Sequence, residues 1–470
     1  MIKPVILWTD ALVFLLLFAV TLFAFHARRK PHLRAPWARI FTGRLASISA
    51  VILLSYIVIG FLDSLLYRLP LENRGESQES HYAVEVLSVM DVLLGPVRTQ
   101  VEKTYSAPFA THLFTRETIE HPDGSQSRDY PRLTYGGAHL QDPVADRGAD
   151  IAQRSLVALL QTLLATLALL FILGAMLARR HHRPVRQALG DILAARTSVP
   201  WRAITLATGM VLLLVFLSVN LAGAYHVLGT DKVGQDVFYQ AVKSIRTGLV
   251  IGTLTTLVML PFAILLGIMA GYLRGWVDDI IQYTYTTLNS IPGVLLIAAA
   301  ILMLQVFIAN NPERFETTLE RADIRLLFLC MILGITSWTG LCRLLRGESL
   351  KLREIEFIQA AASFGVSHAR IITRHILPNV MHIVLITVVL DFSGLVLAEA
   401  VLSYIGIGVD PTMNSWGNMI NRARLEMARE PMVWWSLMSA FIFMFVLVLA
   451  ANLFSDAVRD AFDPHLRNNR

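Results

Sequence analysis

The chain has 470 residues, 55% of them hydrophobic and only 16% charged, with a formal net charge of +6. A soluble domain carries about a quarter charged residues, and here the apolar residues gather into long runs instead of core periodicity, so an ordinary soluble globule is excluded. The basic residues sit in short loops between those runs, which points to membrane orientation; no basic groove with stacking aromatics suggests nucleic acid.

Nine apolar segments follow in order, over residues 5–25, 46–66, 154–178, 203–224, 247–271, 280–308, 325–342, 379–407 and 432–454. A helix needs about 20 apolar residues to cross the hydrocarbon and satisfies its own backbone there. The runs are too long for barrel strands. The expected fold class is an all-α polytopic membrane protein of about nine transmembrane helices.

The first segment is read as a retained helix and not a signal peptide. Its leading flank has only Lys3, whereas Arg28, Arg29, Lys30, Arg34, Arg39 and Arg44 follow it. Segment two leads into residues 67–152, a polar and acidic stretch with Glu72, Glu76, Glu79, Glu85 and Asp91. Turn signals stand at His121-Pro122-Asp123-Gly124-Ser125 and Tyr135-Gly136-Gly137. Val84 to Val97 has helical periodicity suited to lying along a membrane face. Folded and partly disordered states both fit this insert.

The third segment is followed by Arg179, Arg180, Arg183, Arg186, Arg196 and Arg202, and the seventh by Arg343, Arg346, Lys351, Arg353, Arg370 and Arg374. Basic loops face the cytoplasm, so alternation predicts the N-terminus outside, the 67–152 insert outside and the C-terminus inside. His181-His182 reads as part of a solvated basic loop and not as a metal site, since adjacent histidines do not share a helix face. Cys330 and Cys342 are too few for a disulfide framework and read as small buried apolar side chains. Pro261 and Pro292 fall in or at membrane helices, as hinges or ordinary kinks.

The loop 343–378 carries the chemistry. Residues 354–364 form a short amphipathic pattern, with Phe357, Ala361 and Phe364 on one face and Ile355, Ile358 and Ala362 on its neighbour. Gly365 can end it with a positive φ, Ser367 suits the N-cap of a second short helix, and Pro378 interrupts hydrogen bonding where the next membrane helix begins. Two short helices with a glycine corner suit docking to a partner; an amphipathic loop on the headgroups is the bland alternative. Within the eighth segment, Asp391 and Glu399 are eight residues apart, about 80° around a helix, so both can face a bundle. Either they contact a translocated solute or they hydrogen-bond a neighbouring helix.

The motif Gln359-Ala360-Ala361-x3-Gly365, followed by Leu377-Pro378, resembles the Glu-Ala-Ala loop of ABC importer permeases, with Gln359 where the family has Glu. Other blocks resemble the C-type permease of dipeptide and oligopeptide importers. They are Leu228-Gly229-Thr230-Asp231-Lys232-Val233-Gly234-Gln235-Asp236, Gly271-Tyr272-Leu273-Arg274-Gly275-Trp276-Val277-Asp278, Ser290-Ile291-Pro292, Glu399 to Gly408, Ser415-Trp416-Gly417-Asn418 and Asn452 to Pro464. The resemblance runs collinearly over about residues 203–465, and the first 200 residues exceed the usual family pattern.

Hydropathy and charge divide the first 202 residues into two helices in 1–66, a periplasmic insert in 67–152 and a third helix with a basic loop in 153–202; the resemblance implies a type I ABC importer permease core of six helices in 203–465 with its coupling loop at 343–378. It implies an ATPase-coupling site at Glu356, Gln359, Ala360, Ala361, Gly365, Arg370, Leu377 and Pro378. A periplasmic-side motif is implied at Gly229, Thr230, Asp231, Gly234 and Asp236, with Asp391 and Glu399 as candidates for the path. No Gly-x-x-x-x-Gly-Lys-Ser/Thr loop occurs, so this chain is expected to bind no cofactor and to catalyse nothing, with ATP and Mg held by partners. The implied partners are a second homologous permease in a heterodimer, two ATPase subunits, a periplasmic substrate-binding protein, peptide substrate and membrane lipid, in a bacterial inner membrane. An ion-coupled secondary transporter is the rival reading; it would show internal repeats, and none is evident.

Overall fold

A computed structural model describes residues 3–29, 31–70, 82–120, 126–315 and 317–462. Among them, nine helices are long and apolar enough to cross a membrane. They are α1 (Trp8–Arg28), α2 (Arg44–Ser64), α3 (Arg147–His181), α4 (Trp201–Ala222), α5 (Val237–Leu273), α6 (Gly293–Asn310), α7 (Thr318–Arg353), α8 (Leu377–Tyr404) and α9 (Trp435–Phe462). The expectation of a nine-helix polytopic protein holds. Several helices overrun their apolar segments, because helical hydrogen bonding continues into amphipathic turns where hydropathy has already fallen. The start of α7 shows how such an end is fixed: Thr317 and Glu320 form a reciprocal capping box.

One segment needs correcting. Residues 280–308 are not a single helix. Trp276–Ser290 is a separate amphipathic helix, and the chain is extended at Ile291 before α6 begins at Gly293. Pro292 lacks an N–H and disfavours helical backbone at the residue before it, so the apolar run continues while the helix cannot.

The all-α expectation also gains small sheets. β1 (Lys3–Val5), β2 (Leu66–Arg68) and β3 (Leu87–Ser88) form an antiparallel sheet in that order, and β4 (Glu117–Glu120) pairs with β5 (Gln126–Asp129) as a hairpin. The described part of the 67–152 stretch is therefore folded. Its periodic piece becomes two single-turn helices, Val89–Leu93 and Gly95–Thr99, the first with a Ser88–Asp91 capping box. Glu72, Glu76, Glu79 and the His121–Ser125 turn lie outside the described residues.

The chain forms two compact units that interleave in sequence. One comprises Met1–Ile6, Ala38–Thr247 and Asn414–Phe454; the other comprises Leu7–Trp37, Gly248–Met413 and Ser455–Arg470. In the first, α2, α3 and α4 pack with the folded insert. In the second, α5 and α7 come so close that a Cβ on Gly271 would stand 2.5 Å from the Arg346 carbonyl oxygen. There, too, α1 joins α7 through buried polar groups, the Thr9 hydroxyl and amide donating to the carboxylate of Asp323.

Candidate functional site

The candidate docking segment builds itself from a short helix, Glu356–Ser363, that ends at Gly365 with φ +74°. Its inward face is carried by Ile358, only 1% exposed, with Ala361 and Val366 packed beside it against an apolar cluster of Tyr272, Leu352, Ile371 and Ile376. Burying one such side chain contributes about 1.5–3 kcal/mol. The other face is open: Phe357 is 47% and Phe364 87% exposed, and Glu356, Gln359 and Ala360 are exposed with them. Phe357 and Phe364 thus share an outward face without Ala361, which turns inward.

Gln359 donates its amide N–H to the Glu354 carbonyl oxygen at 3.3 Å, and the Ser363 hydroxyl donates back to the Gln359 carbonyl at 3.0 Å. The second short helix, His368–Ile371, starts after Ser367 as expected, though the serine side chain makes no capping hydrogen bond. It is not a separate element, because it continues through a π-helical turn, Ile372–Ile376, directly into α8. Arg370 is exposed on it, and Leu377 and Pro378 open α8 itself.

Three residues that the motif reading did not single out as partners, Tyr272, Arg353 and Arg274, hold this segment. The Tyr272 hydroxyl meets His368 Nδ1 at 3.0 Å, with the rings edge-on at 5.6 Å. Arg353 donates to the Tyr272 carbonyl oxygen at 3.0 Å. Arg274 pairs with Glu354 at 2.6 Å. Nearby, Arg346 grips Asp278 with two parallel bonds of 2.6 and 2.7 Å, which holds the Asp278 carboxyl below its ordinary range. The Gly271–Asp278 block was visible as a motif; its contacts span 68 to 96 residues of chain, so no local pattern could reveal them.

The loop before α5 is built differently. Gly229, Thr230, Gly234 and Asp236 are buried and Asp231 is half-buried. Asp236 caps α5, its Oδ1 accepting from the amides of Phe238 at 2.8 Å and Tyr239 at 3.2 Å. Asp231 closes the turn by accepting from the amides of Val233 and Gln235 at 3.0 and 2.9 Å. The insert lies directly on this loop. Thr230 donates from its amide to the Ser106 carbonyl and from its hydroxyl to the Thr104 carbonyl, at 3.1 and 2.8 Å. The Glu102 amide donates to the Gly234 carbonyl at 3.0 Å, and a Cβ on Gly234 would stand 1.7 Å from the Glu102 carbonyl oxygen.

His226 lies between two carboxylates in this layer. Nδ1 meets Asp236 Oδ2 at 2.7 Å and Nε2 stands 3.5 Å from Glu102 Oε1, with all three side chains no more than 2% exposed. Burial alone would lower the imidazole pKa, but Asp236 and Glu102 reverse that and raise it to about 9. Burial pushes the Glu102 carboxyl up, yet His226 and the backbone amides of Thr134, Tyr135 and Gly136 bring it down to about 2. A second polar cluster ties insert to helices: Lys243 of α5 meets Asp63 of α2, Asp91 at 2.9 Å and Ser88 at 3.1 Å. Neither Glu102 nor Lys243 carried any sequence signal beyond its charge.

The two carboxylates of α8 part company. Glu399 is 2% exposed and accepts from the Ser403 hydroxyl at 2.6 Å. Asp391 is half-buried and makes no hydrogen bond or ion pair among the described residues. No cluster of three or more metal-ligating side chains occurs among the described residues.

With this geometry in place, relatives give the class. Residues 263–468 match the family described as binding-protein-dependent transport system inner membrane component. The glutathione transport system permease protein GsiD of Pectobacterium atrosepticum is 32% identical over 243 residues, covering 52% of this chain and 74% of that protein. The oligopeptide transport system permease protein OppC of Mycobacterium tuberculosis is 33% identical over 248 residues, covering 53% and 79%. The dipeptide transport system permease protein DppC of Bacillus subtilis is 28% identical over 244 residues, covering 52% and 70%. The chain belongs to the inner-membrane permease family of binding-protein-dependent transport systems, and is a multi-pass inner-membrane transport subunit.

Proposed function

We propose that this chain is one permease of an ATP-driven peptide importer. The single observation that carries the coupling role is the open face of the docking helix, where Phe357, Ala360 and Phe364 stand exposed on a helix anchored by Ile358. An apolar patch rimmed by Glu356 and Gln359 suits a groove on a partner. The partner on this reading is one of two ATPase subunits that hold ATP and Mg. A second homologous permease completes the membrane pathway, and a periplasmic binding protein delivers substrate. ATP binding closes the ATPase pair, the docking helix moves with it, and the membrane helices alternate between inward- and outward-open states.

The substrate class on this reading is peptides, supported by the names of relatives that carry glutathione, oligopeptides and dipeptides. Asp391 is the candidate contact in the path, as a half-buried carboxylate with no protein partner among the described residues suits a peptide amino group. Glu399 sits in the path less readily, since Ser403 already occupies it. The basic loops orient the chain with its N-terminus periplasmic, the insert periplasmic and its C-terminus cytoplasmic.

The test is a gentle-detergent pull-down from the native membrane, with ATPase activity measured with and without a peptide mixture and the binding-protein fraction. Two ATPases, a second permease and peptide-stimulated hydrolysis are expected. A chain that comes down alone would overturn the proposed assembly with ATPase subunits. Gly365→Pro should abolish coupled ATPase activity; normal coupling in that variant would sink the docking role.

A further inference from the structure

The docking segment shares one apolar cluster with α5 and α8, but its backbone path into α8 is irregular. Towards α5 the attachment is dense. The Tyr272 ring, 5% exposed, packs in the same apolar cluster as Ile358, its hydroxyl meets His368, and its carbonyl accepts from Arg353. Contacts from this one residue therefore flank the docking helix on both sides in sequence. The Arg274–Glu354 pair adds little, because both side chains are about half exposed and such pairs contribute about 0–1 kcal/mol.

Towards α8 the side chains are buried as deeply, with Ile371, Ile376 and Val380 in the same apolar cluster, and the weakness lies in the backbone. The chain passes through the π-helical turn Ile372–Ile376, and Pro378 follows within two residues. π turns are among the few places where helices kink, and proline withdraws a donor from the ladder. Two weak points so close together make this the place where α8 bends most easily.

We propose that Tyr272 is the positioning residue that makes the docking helix and α5 move as one body, while the turn at Ile372–Ile376 lets α8 flex relative to them. Nucleotide-driven movement then reaches α5 first, and α8 follows with a lag in angle. This rests on the ATPase-docking reading of the segment. The Arg346–Asp278 clamp serves a different joint, tying α7 to the helix Trp276–Ser290, and it does not touch the docking helix.

The experiment uses the intact importer in right-side-out proteoliposomes, with ATP inside and binding protein plus a labelled di- and tripeptide mixture outside. Peptide taken up per ATP hydrolysed is the readout. Tyr272→Phe keeps the ring and removes only the hydroxyl; it should lower that ratio about threefold to tenfold, the effect of one hydrogen bond, with basal ATPase activity and the amount of assembled complex unchanged. His368→Ala should lower the ratio equally, His368→Asn should restore it by offering an acceptor near the Nδ1 position, and the Tyr272→Phe, His368→Ala double variant should be no worse than either single. Spin labels at Ser363→Cys on the docking helix and Leu265→Cys on α5 should keep one distance in nucleotide-free and ATP-bound complexes, while Ser363→Cys and Leu390→Cys give two. A wild-type ratio in Tyr272→Phe, a fall that merely tracks lost complex, or equal distance changes in both label pairs would overturn the proposal. If no ATPase accompanies the unmutated chain, the docking reading itself fails, and that is seen before any variant is made.

Discussion

The docking segment and the loop before α5 use the same local device and surround it with opposite environments. Gly365 and Gly234 have nearly the same backbone angle, φ +74° and +76°. Around Gly365 a Cβ would meet nothing within 4 Å, whereas at Gly234 it would collide with the Glu102 backbone. One glycine makes a corner on an open surface. The other lets the insert lie flat on the loop. The lesson is that a motif glycine specifies a turn, but only its neighbours decide whether that turn is a handle or a keystone.

The comparison breaks most sharply if Gly234→Ala is tolerated. The expected cost exceeds about 4 kcal/mol, enough to remove the folded protein from detergent extracts analysed by fluorescence-detected size exclusion. His226→Gln comes next. It leaves Glu102 and Asp236 buried with no cation between them, and should cost about 3–5 kcal/mol, read as a lower unfolding temperature. The same sandwich predicts a pH window. A raised folded-state pKa means that His226 contributes its full stabilisation below its ordinary value of 6.5 and loses it as pH climbs towards about 9. The loss should reach roughly 3 kcal/mol, and melting curves across that range check it. Glu102 behaves inversely: its contribution is present above 4.5 and is lost as pH falls towards about 2.

Effects at the docking segment should be smaller in stability and larger in assembly. Gly365→Ala places a side chain at positive φ in open space, at a cost of about 1–2 kcal/mol in the same melting assay. Phe364→Ala should change stability by no more than about 0.5 kcal/mol, because the ring is 87% exposed, yet reduce the ATPase recovered in a pull-down. A Phe364→Ala variant that melts early but keeps its ATPases would reverse the contrast between the two regions.

Hydropathy alone determined that this is a helical membrane protein, and it located eight of the nine apolar segments on single helices, because lipid leaves the backbone no cheaper solution than a helix. The ninth, 280–308, misled because an apolar run has no term for a proline that breaks it. The order of short blocks such as Gln359-Ala360-Ala361 and Leu228-Gly229-Thr230-Asp231 was enough to place the chain among importer permeases. Turn geometry at Gly365 was legible too, since only glycine takes that angle freely. Tertiary structure decided the rest. That α1 shares a unit with α7, that Glu102 completes the His226 sandwich, and that Tyr272 braces His368 are contacts between residues far apart in sequence. A sequence lists which charges and rings exist; which of them meet depends on how helices separated by dozens of residues pack, and packing energy is shared among many weak contacts that no single motif records.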